Sequence, residues 1–498
     1  MLLSKLLSEI EIGYDLLGEV EGLEVLNIEI DSRLIKENSI FVALKGIEVD
    51  GHDFIASAVE KGAKIIVVDE KYEICDPKII FIKTNDVFAF LTAALKVLFS
   101  PIPNNIYGVT GTNGKTSIVE FTRQILDFFG KKSASIGTLG VLSDVDLKKK
   151  IVGSSLTTSD IVSLYKNLSI LKSEGIEDVA IEISSIGLEQ KRINGLNLSV
   201  GSFSNFSIDH LDYHKNKEEY FRCKMLLFGE YLENGGTAIL NSDIEEFQTI
   251  KDLCQKRGQK VIEYGRKAKD LKILEIEFGE FGQKVKVEIF GVIYEFELSI
   301  NGEFQIYNVL CSLGNILATH DLGEKEIAKL LSQFRNLRSA TGRMDLAIEL
   351  PNKSKVFVDF AHTPDALKNV LKLAKNIAKN RVLILFGCGG NRDKTKRPVM
   401  GKIAGDMADF VIVTDDNPRY EDASEVRNEV ISGIEGDNFA QISPRNLAIK
   451  DAMGMLKEDD ILILAGKGHE KYQIIEGTKN DFDEVKIVKD ESEKFFKS

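Results

Sequence analysis

The sequence predicts an α/β protein of three domains, and three observations carry that expectation. Short apolar, strand-like runs alternate with amphipathic stretches along most of the chain. The 498 residues exceed one ordinary core, since domains average about 150 residues. The stretch S-P-I-P-N-N at 100–105 interrupts the alternation as a linker would, its prolines and asparagines favouring turns. Domains are accordingly expected at residues 1–100, 101–334 and 335–498.

In the first domain strands are expected at 40–44, 65–68 and 79–82, with a helical stretch at 52–61 and a closing amphipathic helix at 86–99. The second begins with I-Y-G-V-T at 106–110 and continues through apolar runs at 179–183, 199–203 and 237–240, each followed by polar residues. Residues 285–298 alternate in strand fashion, and 305–317 read as a helix. In the third, strands at 356–359, 382–386, 410–413 and 461–464 are separated by helical segments. Right-handed crossovers then give a parallel sheet, with its ligand site beyond the strands' C-terminal ends.

Charge and cysteine content narrow the function classes. Against 64 Lys and Arg stand 77 Asp and Glu, a net charge of −13, which argues against broad nucleic-acid binding. The five cysteines, Cys75, Cys223, Cys254, Cys311 and Cys388, are scattered and form no C-x-x-C pair, so a reduced, cytoplasmic setting is expected. The N-terminal M-L-L-S-K-L-L-S-E-I-E-I lacks a signal peptide's continuous apolar core, and no run approaches the ~18 apolar residues of a membrane span.

The strongest motif is G-V-T-G-T-N-G-K-T-S at 108–117, between a strand and a helix expected at 116–129. Glycines let backbone N–H groups approach phosphate oxygens, and the helix N-terminus adds positive potential. Lys115 can then neutralise the β/γ-phosphates and Thr116 can reach Mg²⁺. The run D-V-A-I-E-I-S ends a strand on Glu182, a reasonable ligand for Mg²⁺ or water. S-N-F-S-I-D-H-L-D-Y-H at 204–214 sets His210 and His214 beside two aspartates, with Lys224 ten residues further on. A zinc site there would need a cysteine or another histidine, which the local sequence lacks; a phosphate and Mg²⁺ environment suits His210 better. The stretch T-D-D-N-P-R-Y-E-D at 414–422 leaves an apolar run and, taken alone, reads as an exposed Asn-Pro turn.

Taken in order, D-S-R at Asp31, G-T-N-G-K-T, I-E-I-S-S, D-H-L-D-Y-H, V-D-F-A-H-T-P-D-A-L, F-G-C-G-G-N-R-D-K-T-K-R-P and G-K-G-H-E at Gly466 run nearly end to end. The series resembles the Mur ligase family, and within it the members that add the third amino acid of the peptidoglycan peptide. The resemblance implies an N-terminal UDP-binding α/β domain, a central P-loop ATPase-like parallel-sheet domain and a C-terminal Rossmann-like domain. It implies that ATP phosphorylates the carboxylate of UDP-N-acetylmuramoyl-L-alanyl-D-glutamate, and that the amine of meso-diaminopimelate attacks the acyl phosphate. Two alternatives are the same ligase using L-lysine or another diamino acid, and a P-loop ATPase serving as a regulatory module. A monomer that binds no nucleic acid and does not insert into a membrane is expected.

Residue by residue, the resemblance implies that Gly111, Thr112, Asn113, Gly114, Lys115, Thr116 and Ser117 hold ATP, with Asn308 near the adenine and Arg343, Asp359 and His362 reaching in from the third domain. Thr116, Glu182, His210 and Lys224 would surround Mg²⁺, Lys224 as an N6-carboxylysine formed with CO₂; without the family match it reads as a surface lysine. Lys115, Glu182, His210 and Lys224 are the implied catalytic set. Ser32, Ile47, Glu48, Val49, Thr157, Thr158, Ser184, Gln190 and Arg192 would hold the UDP-sugar peptide. Arg392, Asp416, Asn417, Pro418, Arg419, Gly466 and Glu470 would hold meso-diaminopimelate, the Arg419 guanidinium gripping its second carboxylate. The chain departs from the family pattern at Ile186, usually histidine, at Leu156, usually asparagine, and at Ser159, usually proline. It also has Asp345 for glutamate, and F-D-E-V at 482–485 for F-D-D-R-E.

Overall fold

Alternation along the N-terminal strands decides how the first unit packs. Ile40, Val42, Ile65 and Val67 face one way, against the helices Leu3–Ser8 and Val87–Leu98, while Phe41, Ile66, Val68 and Phe81 face the other, against Ile55–Glu60. The computed structural model describes residues 1–46, 49–73, 78–147, 150–154, 156–279 and 282–497. This sheet has five strands, four of them parallel, with Asp15–Leu17 antiparallel at one edge. The closing helix begins one residue inside the expected stretch, because Asp86 acts as its N-cap and accepts from the Ala89 N–H at 2.8 Å. The helical stretch expected at 52–61 divides into a 3₁₀ turn, Gly51–Phe54, and a short α-helix, Ile55–Glu60.

The central unit is a ten-stranded sheet. At its heart Asn105–Thr110 pairs in parallel with Asp178–Glu182 on one side and Leu198–Phe203 on the other. Three C-terminal strand ends thus come together, carrying the phosphate-loop motif, Glu182 and Ser204. On one face lie Lys115–Phe128 and Glu303–Leu317, packed over Tyr107, Val109, Val200 and Ile239. The opposite face shares a continuous apolar cluster with the N-terminal unit, in which Phe90, Leu91 and Leu95 meet Ile161, Leu164 and Leu168. A hydrogen bond from Asn194 Nδ2 to Thr92 Oγ1 (3.0 Å) and the Lys166–Glu29 ion pair (2.7 Å) fix the same seam. The run at 285–298 is two strands, Gln283–Ile289 and Val292–Leu298. Phe290 and Gly291 both adopt positive φ (49° and 87°), the geometry of a two-residue hairpin turn.

The third unit is a six-stranded sheet in three layers, parallel except for Asp345–Glu349 at its edge. Val382, Ile384 and Phe386 face the helices Pro364–Ile377 and Lys396–Met407, whereas Leu383 and Leu385 face Arg445–Gly454. No helix among the described residues is long and apolar enough to cross a membrane.

Arg397, in the K-R-P of the third domain's motif, has no exposed side-chain surface. Its guanidinium donates to Glu421 (3.0 and 3.1 Å), Glu429 (2.7 Å) and the Gly389 carbonyl (3.0 Å), tying two loops at the strands' C-terminal ends to one helix. Arg397→Met is expected to cost about 3 kcal/mol in urea unfolding, because the carboxylates lose their buried partner. Arg397, with Lys394 and the Asn391 N–H, holds the Glu421 carboxyl down at about 2 against its burial. The stabilisation is therefore complete above the ordinary glutamate value of 4.5 and is lost as pH falls towards 2. The stability gap between wild type and Glu421→Gln should close over that interval.

Candidate active site between the central and third domains

The loop after Asn105–Thr110 is crowded enough to demand glycine at two points. Gly111 sits at φ +141°, where an added Cβ would lie 2.0 Å from Ser204 Oγ, and Gly114 sits at φ +89°, where it would lie 2.5 Å from Asn308 Oδ1. Gly114 caps the helix Lys115–Phe128 without a side-chain acceptor, so the first-turn N–H groups face the cleft as anion donors. The back of the loop is fixed by Asn205, which accepts from the N–H groups of Thr112 and Asn113 at 2.9 Å each. Lys115 Nζ donates to the carbonyls of Gly111 (2.9 Å) and Thr112 (2.8 Å).

Glu182, fully buried on the adjoining strand, accepts from the Thr138 N–H (2.9 Å), the Thr116 hydroxyl (3.0 Å) and the Thr138 hydroxyl (3.2 Å). Burial raises its pKa, with Lys115, the Thr138 N–H and Arg343 opposing. Arg343 reaches across from the third domain and donates to Thr116 Oγ1 at 3.1 Å, with its guanidinium 4.7 Å from the Phe360 ring centre. Asp359 accepts from the N–H groups of Met344 and Ala361 at 2.7 Å each, and burial lifts its carboxyl to about 6. His362, held by the Phe360 carbonyl at 2.8 Å, is pushed down to about 4 by burial and so is neutral at pH 7. Asn113, Gly114, Ser117, Asn308, Arg343, Asp359 and His362, seven of the eleven residues named for ATP, line one cleft of about 530 Å³.

Lys224 is not the surface lysine that the local sequence suggests. It is 1% exposed, on the helix Lys217–Leu226, which runs into a π turn, Leu227–Tyr231. Its Nζ donates to the Gly111 carbonyl (2.7 Å), the same oxygen that Lys115 uses, and lies 4.4 Å from the Tyr220 ring centre. Burial first, then the Lys115 charge, drive its pKa well below the ordinary lysine value. Among the described residues no carboxylate forms an ion pair with it. His210, at φ +55°, donates its N–H to Asp209 Oδ1 (2.9 Å), and burial pushes its ring down to about 4.

The residues named for the UDP-sugar peptide fall into separate places. Thr158 Oγ1 donates to the Glu182 carbonyl (3.0 Å) and accepts from the Ser184 N–H (2.9 Å), and Thr157 meets Thr138 (3.2 Å). Arg192 donates to the Thr158 carbonyl (2.8 Å) and to Gln190 (2.6 and 3.1 Å), leaving part of its donor fork free. Ser32 is buried in the N-terminal unit and Val49 is exposed; Ile47 and Glu48 lie outside the described residues.

The D-N-P-R stretch is no exposed turn. Asp416, Asn417 and Pro418 are buried and Arg419 is half-buried. Asn417 donates to Glu470 Oε2 (3.0 Å), and its Oδ1 accepts from the Ile474 N–H (2.9 Å). Arg419, at φ +54°, exchanges backbone hydrogen bonds with Ile474 and Glu476 and sends Nη1 to the Gly390 carbonyl (2.7 Å). Gly466, at φ +109°, leaves only 2.8 Å between an added Cβ and Asp416 Oδ2. Arg392 pairs with Asp212 of the central domain at 2.8 Å. Sequence reasoning missed Lys467, whose buried Nζ donates to Asn417 Oδ1 and Glu470 Oε2 at 3.1 Å each; its place inside G-K-G-H-E was the available signal. It also missed Thr138, which reaches Glu182 only through the fold.

Comparison with known proteins agrees with this arrangement along the whole chain. The Mur ligase middle domain matches residues 109–316, the Mur ligase glutamate ligase domain matches 342–468, and the Mur ligase family catalytic domain matches 24–94. A protein of Rickettsia rickettsii named UDP-N-acetylmuramoyl-L-alanyl-D-glutamate--2,6-diaminopimelate ligase is 41% identical, over 93% of this chain and 95% of its own. A solved structure under that same name is 29% identical with a TM-score of 0.64, covering 94% of this chain and 95% of its own. In fold alone, the MurF ligase of Thermotoga maritima in complex with ADP is also similar, at 18% identity and a TM-score of 0.66, covering 96% and 99%. With glycine-loop, carboxylate and arginine meeting in one interdomain cleft and a relative this similar over nearly its full length, the chain belongs to the Mur ligase family.

Proposed function

We propose that this chain is the ATP-dependent ligase that joins meso-diaminopimelate to UDP-N-acetylmuramoyl-L-alanyl-D-glutamate in peptidoglycan-precursor synthesis. The observation that carries the reading is that one domain holds both Arg343, on Thr116 of the phosphate loop, and the Asn417–Arg419–Glu470 cluster. A phosphate-transfer site and a pocket for a zwitterion are thereby tied to the same closing unit, which a simple ATPase does not need. The domains are assigned to residues 1–100, 101–334 and 335–498, and the chain is assigned to the cytoplasm as a monomer.

In this reading the loop N–H groups and Lys115 orient the phosphates, and Arg343 meets the charge that develops on the transferred group. Thr116, Glu182 and modified Lys224 offer the oxygen donors that suit Mg²⁺, with His210 beside them. Mg²⁺ would supply charge neutralisation during transfer. An unmodified Lys224 does not fit that set, since an amine that donates to the Gly111 carbonyl beside Lys115 offers a cation no anionic oxygen. Burial favours the free amine, and the free amine is the form that adds to CO₂. The nitrogen lone pair forms the new N–C bond as one C=O π pair of CO₂ moves onto oxygen, one N–H proton leaves to solvent, and a carbamate anion replaces the neutral amine.

Thr157, Thr158, Ser184, Gln190 and Arg192 would place the acceptor carboxylate, with Ser32 and the loop at 47–49 on the nucleotide-sugar side. In the amino-acid pocket, Glu470 has Oε2 engaged by Asn417 and Lys467, while Oε1 has only a long 3.4 Å contact from the Tyr472 hydroxyl and can accept from an ammonium. Arg419 keeps donors for a carboxylate. A second amine-and-carboxylate end matches this pair, whereas L-lysine leaves Arg419 unmatched beside a like charge.

Phosphate release from ATP should require both the UDP-linked dipeptide and the diamino acid, and meso-diaminopimelate should be used far better than L-lysine; equal use of lysine overturns the assignment. Arg419→Ala should erase most of a preference of about 10⁴, read as the ratio of kcat/KM for the two amino acids. With ¹³C-bicarbonate, wild type should give one carbamate carbon resonance that Lys224→Arg lacks, together with loss of turnover.

A further inference from the structure

Beside the magnesium residues, and separate from them, three potential metal ligands converge that the sequence keeps apart. Glu189 ends the helix Ser185–Glu189, His214 lies in the loop after His210, and Cys223 lies on the helix that carries Lys224. Their ligand atoms all fall within 4.8 Å of one another, with His214 Nδ1 4.0 Å from Glu189 Oε2. The cysteine absent from the local sequence around His214 is thus supplied by the fold.

Two further features mark this as more than a chance cluster. His214 is 1% exposed, and its Nδ1 has no hydrogen-bond partner; Glu189 Oε2 is likewise buried and unpartnered. The other ring nitrogen, Nε2, lies 2.9 Å from the Ser185 hydroxyl. With Nε2–H donating to that hydroxyl, the Nδ1 lone pair points at the thiol and carboxylate, the arrangement by which an outer partner orients a metal-binding histidine.

We propose that Glu189, His214 and Cys223 form a site for a thiophilic divalent cation of the Zn²⁺ type, distinct from the Mg²⁺ of the phosphate loop. A sulfur–nitrogen–oxygen set suits zinc and is poor for magnesium. Bonds of about 2.0–2.3 Å require tetrahedral ligand separations of roughly 3.3–3.7 Å, so the side chains need close by only about 1 Å. Glu189, one-third exposed, gives the ion an approach and leaves a fourth position for water. Binding exchanges the Cys223 S–H bond for S–Zn and releases that proton to solvent. The ion would link the helix bearing Lys224 to the loop of His210 and to the helix after Glu182.

Cobalt(II) reports such a site directly. In buffer with saturating Mg²⁺, titrating Co²⁺ into the full chain should give a thiolate-to-cobalt charge-transfer band that saturates at one equivalent and disappears on adding Zn²⁺. Cys223→Ser should abolish the band, and Ser185→Ala should weaken Co²⁺ binding roughly 10–100-fold by releasing the imidazole. Should Cys223→Ser fail to fold, Glu189→Gln, at a helix end, should weaken Co²⁺ binding at least tenfold. No band in wild type, a band persisting in Cys223→Ser, or unchanged affinity in Glu189→Gln overturns the proposal.

Discussion

Two buried lysine side chains donate to one backbone oxygen, the Gly111 carbonyl, and the electrostatics of the site turn on that crowding. Like charges this close in a poorly hydrated place repel strongly unless anions offset them. Glu182 supplies one anion from the neighbouring strand, and nucleotide phosphates supply others. A carbamate on Lys224 would convert the repulsion into attraction. Even the backbone conforms, since Gly111 occupies a φ that side chains avoid and presses against Ser204, which aims its carbonyl between the two lysines.

The third domain solves a different problem, holding a polar pocket still at the mouth of a sheet. Its central strands are apolar on both faces, so they fix position and offer polar chemistry mainly where they end, as at Asp359. Precision comes instead from buried charges with several partners each. Arg397 binds two glutamates and a carbonyl, and Arg445 binds Glu484 at 2.7 Å and the Ala465 carbonyl at 2.8 Å. Lys467 then sets the Asn417 amide and the Glu470 carboxylate against each other. Groups so fully engaged lose little further entropy when a ligand arrives, which is what preorganisation means physically.

What could be read in the sequence was what is local in the chain. The phosphate loop was legible because glycine spacing, Lys-Thr and a following helix occupy ten consecutive residues, and the parallel sheets were legible from their apolar runs. Thr138 was not, because its hydroxyl meets Glu182 only through the order of strands in the sheet. Nor was the turn at Phe290, which lacks the Asn-Gly or Asp-Gly signal of a tight hairpin although its backbone adopts that geometry. The burial of D-N-P depended on Gly387 and Gly390 packing against it, a contact between two strand ends some thirty residues apart. Cys223 and His214 were each visible, but their meeting required the fold between them.

The seams between the three units differ in kind. The N-terminal and central units share one apolar cluster, while the third is attached through Arg343 to Thr116, Arg392 to Asp212, and paired hydrogen bonds between Gln124 and Arg338. Of the polar contacts, Arg392–Asp212 pairs opposite charges, and dissolved ions weaken it while leaving the apolar cluster almost untouched. Mechanically the molecule is therefore a two-part object: a welded base and a cover latched by polar contacts. One of those contacts, Arg343 on Thr116, sits on the phosphate loop itself, so nucleotide occupancy acts directly on the joint between base and cover.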